Sequence, residues 1–292
     1  MTTRSKLEHL QKNHPCFGGC AFNAGRIHLP VSPGCNIACR FCDRQINDDE
    51  ERPGVTRRVI TPDEAAAFME RALELCPSIK VAGIAGPGDT LATDKAFETF
   101  RKLKDKYPEL LKCMSTNGLL LYEKAEEVIE LGIDTLTVTV NAVDPVIEAK
   151  LNDYIIWHGE KIEGEKGARI LIENQLKGIK KVADAGVTVK VNTVLVPGIN
   201  DAHIADIAET VSGLGALMYN IIPIIPQAGL KDVPNPTLEQ IVQARRDAGQ
   251  FIRVFMHCQH CRADAVGVPG ISEYSEQVYQ GRIGARETFS HG

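Results

Sequence analysis

Three cysteines, Cys35, Cys39 and Cys42, stand in the stretch CNIACRFC at residues 35–42, with an aromatic residue, Phe41, just before the last. Thiolates at these spacings can take three corners of a cubane iron-sulfur cluster from one loop and leave the fourth iron without a protein ligand. Such an open iron can chelate a substrate. A structural zinc knuckle would need a fourth Cys or His close by at zinc-finger spacing, and none follows Cys42 locally.

Further groups able to hold a metal lie far from this loop in sequence. His14, Cys16 and Cys20 precede His28, and at the other end HCQHC at 257–261 places Cys258 and Cys261 among two histidines, followed by RADA at 262–265. A C-x-x-C pair can chelate a metal, do redox chemistry or be inert. The redox use requires a thioredoxin-like βαβ context that this terminal segment lacks, so ligation is the preferred reading and a second or third metal centre is suggested. Cys113 lies on an expected strand, where a lone cysteine is ordinarily a small buried hydrophobe. Cys76, at the end of the first long helix, reads as structural. Nine cysteines in a chain without a secretory leader point to metal or catalytic roles rather than disulfides.

The elements that must position these residues follow from apolar periodicity. Strands are expected at 27–33, 80–85, 111–116, 135–141, 188–196 and 216–225, alternating with amphipathic helices at 61–75, 93–106, 122–131, 168–185, 202–214 and 238–250. A polar excursion runs through Trp157 and His158. Alternation of this kind implies βα units, a parallel sheet and right-handed crossovers. The expected fold is an α/β (β/α) barrel of six core units with terminal additions, and a short run at 251–255 extends it toward a more complete TIM-like barrel. A single barrel domain is expected over 1–292, with N- and C-terminal cluster-ligand segments.

In such a barrel, functional groups collect beyond the C-terminal ends of the strands. The cysteine loop follows the first strand. Gly86, Pro87, Gly88 and Asp89 follow the second, where glycine serves either a plain turn or a close backbone approach to a ligand. Cys113, Ser115 and Asn117 share one face of the third strand by the two-residue period. Thr137, Thr139 and Asn141 do so on the fourth, and Lys190, Asn192, Val194 and Val196 on the fifth. Polar groups at the rim can bond a ribose or a carboxylate, although Thr is also an ordinary strand former.

A net charge of -5 argues against a nucleic-acid or acidic-membrane partner. The N-terminal residues lack the apolar core of a secretory signal, and no apolar run reaches about 18 residues, so a cytoplasmic location is expected. No repeat or low-complexity tract interrupts the chain.

The three-cysteine motif resembles the signature of the radical S-adenosylmethionine (SAM) enzymes. The resemblance implies that the open iron binds the amino and carboxylate groups of SAM, and that the turn at 86–89 holds the methionine amino group. Beyond the motif, HPCF at 14–17, GRIHLPVSPGCNIACRFC at 25–42, RPGV at 52–55, AGIAGPGDTLA at 82–92, STNG at 115–118, NAVDP at 141–145, ENQLKGI at 173–179, VNTVLVPGIND at 191–201 and HCQHCRADAVG at 257–267 resemble the NifB family in its short form, without a C-terminal carrier domain. That resemblance implies three [4Fe-4S] clusters and SAM, with fusion of two clusters around a SAM-derived carbide. It assigns Cys35, Cys39 and Cys42 to the SAM cluster, His28 and Cys113 to one substrate cluster, and Cys16, Cys258 and Cys261 to the other. Cys20 departs from the pattern and leaves Cys16 and Cys20 as alternatives. Gly86, Gly88, Asp89, Asn117, Thr139, Asn141, Asn192 and Val194 are the expected SAM contacts, and no catalytic side chain beyond cluster and SAM ligands is expected. The implied partners are an iron-sulfur cluster donor, an electron donor and a cofactor carrier or scaffold.

Overall fold

The computed structural model describes residues 3–18, 23–280 and 287–288. The chain opens with helices α1 (Thr3–Asn13) and α2 (Pro15–Gly18) and strand β1 (Gly25–His28), then the short strands β2 (Ile37–Cys39), β3 (Gln45–Ile46) and β4 (Val55–Thr56). It continues through α3 (Ala65–Leu75), β5 (Ile79–Ile84), α4 (Lys95–Leu103), β6 (Leu111–Thr116), α5 (Ala125–Glu130), β7 (Thr135–Thr139) and α6 (Pro145–Glu148). The second half holds β8 (Asn152–Trp157), β9 (Glu160–Glu163), α7 (Gly164–Asp184), β10 (Thr188–Leu195), α8 (Ile204–Gly213), β11 (Met218–Pro223) and α9 (Leu238–Ala248). Strand β12 (Val266–Gly267), α10 (Ser275–Tyr279) and β13 (Glu287–Thr288) follow.

The main sheet has the strand order β11-β10-β7-β6-β5-β1-β12. The pairs β1/β5, β5/β6, β7/β10 and β10/β11 are parallel, whereas β12 joins β1 antiparallel. All six core strands expected from the sequence are present. The seventh is not. The backbone N–H groups of Phe251 and Ile252 donate to the Ala248 carbonyl at the end of α9, so this stretch closes the helix, and only an isolated bridge between Tyr219 and Val254 remains. The sheet therefore gains an antiparallel edge strand at one end and no further barrel strand at the other.

The chain divides into two compact units. The first comprises Met1–Pro33, Arg44–Met114 and His257–Phe289. In it α3 packs against α4 and α10. Helix α4 buries Ala96, Phe97, Phe100 and Leu103, the three-and-four spacing of one helical face, and so commits a polar nine-residue segment to the core. The helix expected from residue 61 starts instead at Ala65. Thr61 and Glu64 bond each other reciprocally through backbone and side chain and close a turn before the helix begins.

The second unit comprises Gly34–Asp43, Ser115–Met256 and Ser290–Gly292. Its long helix α7 touches α5, α6, β8, β9 and β10. Gln175 on α7 is buried, and its amide donates to the carbonyls of Asn117 and Thr139 at 2.7 and 2.9 Å, fixing the ends of β6 and β7. The stretch expected to be a polar excursion is the hairpin β8/β9. Trp157 pairs with Glu160 across His158 and Gly159, both at positive φ, which is the two-residue turn that matches strand twist.

Candidate functional site

In the second unit the cysteine loop is held along most of its length by backbone bonds. β2 pairs antiparallel with β8, placing Cys39 opposite Asn152. The Asn36 carbonyl accepts from Ile156, the Arg40 N–H donates to Leu151, and the Arg40 carbonyl accepts from Leu230. The Gln227 amide donates to the Phe41 carbonyl at 3.0 Å. Cys35 and Cys39 lean on the buried cluster of Ile37, Leu119, Ile155 and Leu171. All three thiols are half-buried and reduced. Asn117 donates to Asn36 Oδ1 at 2.7 Å and reaches Cys35 Sγ at 3.8 Å, so this predicted SAM contact stands beside the first cysteine.

The strand-end polar residues of the second unit fall into register. Thr139, Asn192 and Asn220 form one row across β7, β10 and β11, with Asn220 donating to Asn192 Oδ1 at 3.2 Å. The sequence gives no sign of a site at Asn220, which lies in an apolar run. The Asn141 side-chain oxygen accepts from the Val194 N–H at 3.0 Å, so these two residues close the strand ends on each other.

In the first unit the turn after β5 packs along the chain that follows β1. Ser32 bridges Pro87, and Gly88 donates to the Ser32 carbonyl at 2.7 Å. Gly86 has φ +120°, a conformation that only glycine adopts without strain. Asp89 is buried and accepts from the Leu91 N–H.

His28, Gly83 and Cys113 occupy one register row across β1, β5 and β6, so their side-chain positions share a face of the sheet. The central residue has no side chain, and the imidazole lies over it: a Cβ at Gly83 would meet His28 Cδ2 at 3.0 Å and Nε2 at 3.5 Å. His28 Nδ1 stands 2.9 Å from the Arg262 carbonyl. A carbonyl only accepts, so Nδ1 carries the proton and Nε2 presents a lone pair, the tautomer suited to a metal. Replacing Gly83 with Val puts carbon where the imidazole lies. Reconstituted protein should then lose iron equivalent to about one four-iron cluster while its melting temperature moves by only a few degrees, and iron analysis with thermal melts reads both.

In the same unit the guanidinium of Arg26 reaches Cys261 Sγ at 3.3 Å, and Cys16 lies within its electrostatic reach. Cys16 is set in α2, where its N–H donates to His14 Nδ1 at 3.1 Å. Burial pushes the Cys261 thiol up, and the charge of Arg26 pulls against it. The segment carrying Cys261 is pinned by a buried ion pair. Arg262 meets Asp264 at 2.9 and 3.2 Å and donates to the Glu50 and Asn47 carbonyls, while Asp264 accepts from the Arg57 N–H. Cys258 is half-buried on the same segment. Cys76 is buried in the core beside Ser78, and Cys20 lies outside the described residues.

Among the described residues, no three His, Cys, Asp or Glu side chains converge on one point as ligands of a single metal ion do. A cubane cluster makes a different demand, since each thiolate takes its own iron. Half-buried cysteines spread along one loop, and a tautomer-fixed histidine in a row with a cysteine, are chemically suited to that demand. Among the described residues no helix is long and apolar enough to cross a membrane.

Comparison with known proteins agrees with this chemistry. The Radical SAM superfamily matches residues 29–211. Solved structures with the same fold include a radical SAM methyltransferase from Sphaerobacter thermophilus, with TM-score 0.56 and 20% identity over 79% of this chain and 64% of that one. Methylornithine synthase (PylB) gives TM-score 0.55 and 14% identity over 86% of this chain and 69% of its own. The FeMo cofactor biosynthesis protein NifB of Methanocaldococcus infernus is 44% identical over 283 residues, covering 96% of this chain and 93% of that protein. NifB of Azotobacter vinelandii is 36% identical, and this chain spans 57% of its length. The chain is a radical SAM enzyme and, within that class, belongs to the NifB family of FeMo cofactor biosynthesis proteins. The family implies a [4Fe-4S] cluster and SAM.

Proposed function

We propose that this enzyme fuses two [4Fe-4S] substrate clusters, inserting a carbide derived from the SAM methyl group together with one added sulfur, to make the eight-iron precursor of the nitrogenase cofactor. Cys35, Cys39 and Cys42 would hold the resident cluster, which when bound supplies the electron that cleaves the SAM sulfonium. Gly86, Gly88, Asp89, Asn117, Thr139, Asn141, Asn192 and Val194 would bind and orient SAM. His28 and Cys113 would hold one substrate cluster, and Cys16, Cys258 and Cys261 the other. Each substrate set supplies fewer ligands than a cubane has irons, as suits a cluster that must leave. An iron-sulfur cluster donor, an electron donor and a cofactor carrier or scaffold are the partners this reaction needs, and the cytoplasm is its place.

The observation that carries the reading is the row of His28, Gly83 and Cys113, which sets an imidazole lone pair and a thiol on one face of the first unit's sheet, beside the Cys16 and Cys261 thiols. The test is anaerobic reconstitution with iron and sulfide, then dithionite and SAM. About twelve irons per chain, with both S-adenosylhomocysteine and 5′-deoxyadenosine formed, is the expected result. About four irons with 5′-deoxyadenosine alone would leave radical chemistry standing and sink cluster fusion.

A further inference from the structure

Arg26 belongs to none of the ligand sets above, yet it occupies their corner of the first unit. It lies on β1 two residues before His28 and is only 4% exposed. Its Nη1 donates to the Gly267 carbonyl at 2.9 Å, and its Nη2 reaches Cys261 Sγ at 3.3 Å and Glu273 Oε2 at 3.5 Å. The buried Nε has no hydrogen-bond partner among the described residues.

A structural arginine in the same unit looks different. Arg262 is matched by the fully buried Asp264, with two short bonds of its fork filled by one carboxylate. The only carboxylate bonded to Arg26 among the described residues is Glu273, which is 44% exposed and tied to backbone N–H groups of Val266 and Ser275 through its other oxygen. A buried cation whose one carboxylate partner is half-exposed and 3.5 Å away is weakly compensated. What stands next to this one is sulfur, from Cys261 at bonding distance and Cys16 within electrostatic reach. A cavity of about 420 Å3 opens beside it, lined by Arg26, Cys261, His260, Glu273 and Ile271 among others. Glu273 meets this charge only at 3.5 Å and from a half-exposed position, and thiolates on iron would bring anionic sulfur to the guanidinium at closer range.

We propose that Arg26 is a positioning residue for the substrate cluster held at Cys16 and Cys261: it donates N–H to the Cys261 sulfur and supplies the positive charge that retains the cluster and raises its reduction potential. The inference rests on the two-substrate-cluster reading. Hydrogen bonds to cluster sulfurs and nearby charge set such potentials, and removing a positive charge disfavours the more negative, reduced state. Lysine would keep the charge but lose the fork that reaches a carbonyl and a sulfur together.

The test compares wild-type, Arg26→Gln and Arg26→Lys proteins reconstituted with iron and sulfide, using redox titration followed by electron paramagnetic resonance and the rate of iron loss to a chelator. The expected result is that Arg26→Gln keeps the resident cluster's signal, moves the potential of one other cluster to a more negative value, and releases that cluster's iron about tenfold faster, with Arg26→Lys between. The resident cluster in the same sample reports that the chain is folded. Twelve irons in all three proteins with unchanged potentials and release rates would overturn the role of Arg26 and leave the two-cluster reading intact. Four irons in the wild type would overturn both.

Discussion

Replacing Cys39 with alanine should reduce 5′-deoxyadenosine formation by more than about a thousandfold, equivalent to roughly 4 kcal/mol of barrier, while the fold persists. The geometry separates the two effects. Cys39 ends β2 and is half-buried, so removing its sulfur empties little core volume and costs roughly 1 kcal/mol or less. The loop itself is fixed by backbone bonds from Leu151, Ile156 and Leu230, none of which involves the thiol. On the proposed assignment, the variant loses one of three anchors for a cluster whose fourth iron would bind SAM, and two thiolates would not hold that iron in place. Iron analysis should show about four irons missing, with the remainder unchanged. Cys76→Ala is the matched control: its sulfur sits in the core by Ser78 and its removal should leave iron content alone. Wild-type SAM cleavage in Cys39→Ala would remove this loop from the site.

Much of this arrangement is legible in residue spacing because strands and the turns at their ends obey short-range rules. Strand β6 ran over 111–116 as its apolar and polar alternation required, and the glycine turn fell directly after β5. What escaped was set by partners distant in sequence. The region of Trp157 looked like polar coil because β8 and β9 carry charges on their exposed positions, and its turn is His-Gly rather than the commoner Asn-Gly. Yet this hairpin is the scaffold on which the cysteine loop hangs. Residues 251–255 have strand composition, but the end of α9 takes the Phe251 and Ile252 N–H groups, and only residues 253–255 are left to bond Tyr219. Nothing local to Arg26 signals that its fork meets Cys261, 235 positions away. Asn220 likewise gains meaning only from register with Asn192. A ligand set drawn from both ends of a chain becomes a site only through topology, here by β1 lying between β5 and β12.

Stability should fall as pH rises toward 8, and Glu148→Gln should abolish that fall. Glu148 ends α6 and is fully buried, and burial pushes its carboxyl up to about 8 against the smaller opposing effect of the Asn152 amide, which donates to Oε1. The other carboxyl oxygen and the Asn152 carbonyl oxygen are both buried without a hydrogen-bond partner among the described residues. Two acceptors lack a donor, and one proton on Glu148 is the donor that serves both by closing a cyclic acid-amide pair. In the unfolded chain the same carboxyl titrates near its ordinary value of about 4.3. Between that value and about 8 the folded state binds a proton that the unfolded state does not, so stability declines with rising pH across this window and levels off above it. The full loss is on the order of 5 kcal/mol. A glutamine amide keeps the cyclic pairing, donating to Asn152 Oδ1 and accepting at Oε1, and has nothing to ionise. Melting temperatures of the two proteins should therefore coincide near pH 5 and separate progressively by pH 9, with the glutamine variant the more stable. Asn152 faces Cys39 across β2 and β8, so the same titration should loosen the cysteine loop, and iron retention at pH 9 should be better in Glu148→Gln than in the wild type. Parallel pH profiles in the two proteins would show that Glu148 is ionised in the fold at neutral pH and that the pair is held by other means.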